Sequence, residues 1–340
     1  MMDDAALREL LGAYALDACD DGEVAAVEAL LARDPDARRE ADELRNVASL
    51  LGATQAARPS PGLRDAVLSR AWRVRPSAAG DDPALDLYAA QTERFDALVD
   101  ALNPDDLEVE TFNGLTVHEL VVHMAAMESA FAASAGAPTI PELTTVDVEA
   151  RTRDLIAQLG GRPVSDAHDL WRRSVDVLRV WAAGASGRLE VPGVGFSMSR
   201  HSALAARAFE TWTHDDDIRR AIGLPLVVPP AEHLHVMADT SARSLPLALA
   251  FTGRTRPGKK ATIELTGDGG GTWTVPLDMS VERPVDGPDV AADVYVRVDV
   301  VDWCRLASER LEPAAVQFEA SGDVSLVEDL FAAAPAFATL

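Results

Sequence analysis

Residues 207–223 read RAFETWTHDDDIRRAIG, and residues 114–131 read GLTVHELVVHMAAMESAF. In both, apolar residues recur at three- and four-residue intervals, the period of a helix that turns one face inward. Glu210 and His214 are four residues apart, so both project from one side of their helix. His123 lies among Leu120, Met124 and Met127, on the inward edge of the second apolar stripe. Packed in a bundle, two such helices gather two imidazoles and one carboxylate and leave a position open, which is the donor set of a catalytic divalent metal.

The second stretch also carries start chemistry. Thr116 and Glu119 have the spacing of a capping box, and Leu115 and Leu120 stand where a hydrophobic staple would, which fixes the register around His123. Working outward, four long helical patterns run from Pro83 to about Gly223. The first carries Leu87, Phe95, Leu98 and Leu102, and the second runs from Thr116 to Ala133. The third holds Leu170, Leu178 and Trp181, and the fourth runs from about Ser199 to Ile222. They predict a four-helix bundle over residues 84–225, with an insertion near residues 145–160.

Two amphipathic patterns precede the bundle, LRELLGAYAL (7–16) and EVAAVEALLARDPDARREADELRNVASLLG (23–52), separated by an acidic turn at Asp20, Asp21 and Gly22. With a short helical piece at LRDAVLSRAW they make a small helical domain over residues 1–75, tethered to about residue 83 by a stretch rich in Pro, Ser and Gly. Beyond Pro229 and Pro230 a helical stretch leads to KKATIELTG, TWTVPLDM and ADVYVRVDV, which alternate at the strand period. The GDGGG run between the first two lacks the lysine and helix start of a phosphate loop and reads as a hairpin connection. WCRLASERL and VSLVEDLFAAAPAF return to helix. The fold class expected is mainly α with a C-terminal α+β domain, residues 230–340.

Composition sets outer limits. Lys+Arg 31 against Asp+Glu 55 gives a net charge of -24, which repels phosphate backbones and anionic lipid and argues against nucleic acid as a direct ligand. A basic partner and a plain solvated acidic surface both fit that charge. No apolar run approaches the ~20 residues of a membrane span and the first residues lack a signal peptide's positive charge, so a cytoplasmic location is expected. Cys19 and Cys304 are far apart, which excludes a disulfide framework or a thiolate zinc knuckle; each reads as a small buried residue, with redox sensing at Cys19 the alternative.

On spacing alone, Glu210 and His214 are also compatible with an ordinary exposed helix contact, and His123 with a hydrogen-bonded core residue. If the three do converge, a bound thiol would be held as thiolate at neutral pH. Asp217, one turn past His214, is placed to orient an imidazole, and Arg219 to meet an anionic substrate.

The segment from His118 to Phe131 and the segment FETWTHDDDIRRAIG resemble the two metal-binding stretches of the mycothiol-dependent maleylpyruvate isomerase family, related to the DinB-like four-helix metalloproteins. The resemblance implies a divalent metal, usually zinc, on His123, Glu210 and His214, with mycothiol as co-substrate. It covers roughly residues 85–225, and the tail from about 230 resembles the sterol-carrier-like domain that often follows. Where the family's first stretch begins Gly-Trp, this chain has Gly114 and Leu115, a departure that leaves ligation intact and bears on pocket shape.

Residues 10–45, LLGAYALDACDDGEVAAVEALLARDPDARREADELR, resemble the anti-sigma helical domain. The positions of its zinc ligands hold Leu30, Asp34 and Ala37, so no zinc is expected there and the segment must rely on apolar packing or a partner, a sigma factor by this resemblance. Together the resemblances imply a mycothiol-using, metal-dependent thiol transferase or isomerase that acts on a small electrophile. The alternative is an anti-sigma-like regulator whose bundle senses a thiol or metal. A third reading is a silent relative that carries small hydrophobic ligands in its C-terminal domain.

Overall fold

The computed structural model describes residues 3–16, 18–54, 82–112, 114–136, 148–184, 188–192, 197–279 and 283–339. The chain divides into two compact units, residues 1–76 and 77–340. The tether and the short helix expected at residues 63–72 lie outside the described residues.

In the first unit, α1 (Asp4–Glu9) and α2 (Leu11–Ala15) are followed by α3 (Asp21–Arg33) and α4 (Pro35–Thr54). Asp20 and Glu23 close a capping box at the start of α3. The second amphipathic pattern is thus two helices instead of one. Pro35 offers no N–H and disfavours helical backbone at the residue before it. Asp34 accordingly adopts extended geometry, and its carboxylate accepts from the backbone of Asp36 and Ala37. Leu7, Leu11, Val27, Leu30, Leu31, Ala37 and Ala41 form the core. Leu30 and Ala37, two of the three positions where the expected anti-sigma resemblance would put zinc ligands, are fully buried in it.

The second unit is built on four long helices: α5 (Pro83–Ala101), α7 (Val117–Ser134), α9 (Val164–Ala182) and α10 (Arg200–Ala221), with the short α6 (Pro104–Leu107) after the first. Helix α8 (Val148–Leu159) lies in the insertion and packs on α7. The pairs α7–α9 and α5–α10 make the most extensive contacts. Their apolar stripes interdigitate around Leu87, Phe95, Leu120, Trp171, Phe209 and Trp212, all fully buried. Thr116 and Glu119 form both hydrogen bonds of the capping box, so α7 begins where its register demands. A hairpin of β1 (Arg188–Glu190) and β2 (Ser197–Ser199), not anticipated from the sequence, leads into α10.

Helix α11 (Ala231–Phe251) packs on α5 and α10 and on the sheet. The sheet contains β3 (Lys260–Thr266), β4 (Gly271–Pro276), β5 (Val285–Asp286), β6 (Val294–Asp299) and β7 (Phe318–Gly322), in the order β5-β4-β3-β6-β7. Only the central pair, β3 and β6, is parallel. The β3–β4 connection is the expected glycine turn: Gly269 has φ +89, and a Cβ there would stand 2.4 Å from the Ala231 carbonyl oxygen. Helices α12 (Val300–Ala307) and α13 (Ser325–Ala333) cover the sheet, and one continuous core runs through bundle and sheet alike. No helix among the described residues is long and apolar enough to cross a membrane.

Candidate metal centre

His123 stands midway along α7, and Glu210 and His214 stand one turn apart on α10. Among the described residues they form the one group of three His, Cys, Asp or Glu side chains whose donor atoms lie within 4.8 Å of one another. His123 Nε2 is 3.7 Å from Glu210 Oε1, and the imidazoles of His123 and His214 meet edge to face with centroids 5.2 Å apart. Metal–nitrogen and metal–oxygen bonds of ~2.0–2.2 Å at tetrahedral angles put ligand atoms ~3.3–3.6 Å apart, so the donors fit one cation after modest contraction. His214 is buried, while His123 and Glu210 keep some exposure, which leaves one side approachable.

The groups behind the donors set tautomers and charge. Asp217 Oδ2 accepts from His214 Nδ1 at 3.0 Å, which leaves the Nε2 lone pair available. Burial pushes the His214 pKa down and proximity to His123 adds to this, while the Asp217 bond acts in the opposite sense; the net shift is downward and favours the neutral, ligating form. Burial also opposes ionisation of Asp217, but the Arg310 guanidinium and His214 outweigh it and hold the carboxyl down to about 2. Arg310 reaches Asp217 through Nε at 2.7 Å and Nη2 at 2.6 Å. Its other face lies against the exposed ring of Phe112, 5.1 Å from the centroid. His123 Nδ1 is 3.2 Å from Thr152 Oγ1 on α8, so with Nε2 bare the Nδ1–H has an acceptor. Burial likewise opposes a charged Glu210, yet Arg207, with His123 and His214, holds that carboxyl at about 2.

The sequence candidates are thus distributed unequally. His123, Glu210, His214 and Asp217 are brought together. Arg219 is not: it projects about 140° around the helix from His214, and its Nε is held by Asp215 at 2.9 Å, which also accepts from Arg94. Three residues escaped the sequence reading: Thr152, Arg207 and Arg310. Arg207 had a local signal, three residues before Glu210 on one helix face. Arg310 is 93 residues from Asp217 and Thr152 is 29 from His123, and nothing local announces either.

Residues 88–219 match the mycothiol maleylpyruvate isomerase N-terminal domain. The matched stretch takes in all three candidate ligands and Asp217 and covers less than half of the chain. Two uncharacterized proteins of Mycobacterium tuberculosis are each 29% identical over 129 residues, 38% of this chain and 45% of theirs. The aligned stretch therefore spans less than half the length of these curated relatives. Crystal structures of a mycothiol-dependent maleylpyruvate isomerase and of a mutant of it are similar at TM-score 0.47 and 18% identity, over 69% of this chain and 91% of theirs. The family match lies outside the N-terminal helices, and the sigma-factor reading of residues 1–75 draws no support from it.

Proposed function

We propose that residues 77–340 form a metal-dependent, mycothiol-using isomerase or S-transferase that acts on a small electrophile. The convergence of His123 Nε2, Glu210 Oε1 and His214 on one point carries this reading. The isomerase-type domain match over residues 88–219 supports it independently of the geometry.

In this reading the three donors hold a divalent cation, with zinc the first candidate because imidazole and carboxylate suit it. When bound, such a cation supplies the charge that lowers the pKa of a thiol. The protein's own contribution is to favour the neutral form of His214, to lock its ring through Asp217 and the His123 ring through Thr152, and to leave one approach open. The Leu115 departure makes maleylpyruvate itself one candidate electrophile among several.

Protein purified without chelator should carry about one equivalent of metal and should consume mycothiol in the presence of maleylpyruvate or another small electrophile. Substoichiometric metal after zinc loading would end this reading.

A further inference from the structure

A buried ion pair lies directly behind Glu210. Arg207 is 2% exposed, Glu128 on α7 is 0% exposed and Tyr88 on α5 is 0% exposed. Arg207 donates Nε at 3.1 Å and Nη2 at 2.8 Å to one oxygen of Glu128, and the Tyr88 hydroxyl occupies the other. The remaining arm of the guanidinium, Nη1, donates to Glu210 Oε2. The fork is also packed over Phe131, 4.7 Å from the ring centroid, so it has no freedom to turn.

Replacing a buried ion pair with apolar residues of similar size is often neutral or stabilising, so packing alone gives no reason for charges here. The geometry gives one. Glu210 has two oxygens; Arg207 engages Oε2, and Oε1 alone faces His123. A carboxylate free to swing could chelate a cation through both oxygens and fill the position that a thiol needs. We propose that Arg207, braced by Glu128, is a positioning residue that restricts Glu210 to one donor oxygen and so keeps a coordination position open. This rests on the metal reading above and assigns the device that makes the site reactive instead of saturated.

The test uses Co2+ as probe, because its visible absorption is strong in four-coordinate sites and weak in five- or six-coordinate ones. The full chain is loaded as wild type and as the double variant Arg207→Met/Glu128→Gln, which removes both buried charges together and leaves neither one unpaired. Wild type should bind one equivalent with strong absorption and develop a thiolate-to-cobalt band when 2-mercaptoethanol is added. The double variant should bind Co2+ with absorption several-fold weaker and require several-fold more thiol for the same band. Should the double variant fail to fold, Arg207→Lys keeps a charge beside Glu128 but lacks the fork that reaches Glu210, and should shift both readouts in the same direction. Unchanged spectra and thiol midpoints in a folded variant overturn this inference and leave the metal reading standing. Absence of Co2+ binding by the wild-type protein overturns both.

Discussion

Arg310, which follows α12 in the α+β region, grips the carboxylate of Asp217 on α10 with two donors, at 2.7 and 2.6 Å, and Asp217 in turn holds the ring of His214. A residue of the sheet region therefore completes the setting of a metal-ligand candidate in the bundle. Arg310→Met strands a buried carboxylate, and the expected cost is about 3–5 kcal/mol of stability together with roughly 10–100-fold in metal affinity. Thermal unfolding and competition with a chromogenic chelator measure the two. Adding Asp217→Asn should recover much of the stability but not the affinity, since the asparagine no longer strands a charge yet orients the imidazole less firmly.

His123→Ala and His214→Ala should each take bound zinc from about one equivalent to a small fraction, with mycothiol consumption falling to background, because two donors make an incomplete site. Elemental analysis and a thiol-consumption assay decide this. The far-ultraviolet circular dichroism should stay unchanged, since the helices are held by the apolar core and not by the histidines.

Chelation should lower the melting temperature of the wild-type protein and leave that of His123→Ala unmoved. At a free metal concentration a hundred times Kd the stabilisation is about 2.7 kcal/mol. Scanning calorimetry with and without added zinc measures it, and an equal response in both proteins would place the cation elsewhere.

Acid should destabilise the metal-free protein in two stages. His214 has a folded-state pKa below the unfolded value of about 6.5, so the unfolded chain binds the proton more readily and stability falls as pH drops below that value. Glu210 and Asp217, held at about 2, contribute stability above their unfolded values, roughly 4, and lose it as pH falls from there towards about 2. Urea midpoints between pH 8 and 3 should decline first below about 6.5. In His214→Gln the first decline should flatten while the second remains through Glu210.

Thr152→Val keeps the volume of the side chain but removes the partner of His123 Nδ1. Metal affinity should fall about tenfold, at the lower end of the range for such partners, with little change in the metal-free melting temperature. Isothermal titration with zinc distinguishes this from a purely structural contact.

What the sequence disclosed follows the range of the interactions. The capping box at Thr116 and the four-residue step from Glu210 to His214 are local, so they set both helices and the inward aim of three donors before any coordinates. Asp217, one turn from His214, was legible for the same reason. The partner of Arg219 is Asp215, one turn back, which the charge of Arg219 alone does not disclose. Thr152 and Arg310 come from other elements and depend on packing that no periodicity encodes. In the fold, the alternation of β3, β4 and β6 announced them, whereas FEASG in β7 is short, carries little strand preference and forms at an edge through its partner β6. The break at Asp34 and Pro35 lay in plain view, and the continuous apolar pattern across it concealed it.

The clamp on Asp217 also has a consequence for synthesis. A nascent chain emerging from the ribosome displays His123, Glu210 and His214 long before residue 310 has been made. Until then the carboxylate that steadies His214 lacks its Arg310 counter-ion, so the setting of the candidate pocket is completed only once a later stretch of the polypeptide has been made. A frameshift or stop codon shortly before Arg310 would leave every donor in the product and still yield a poor metal binder.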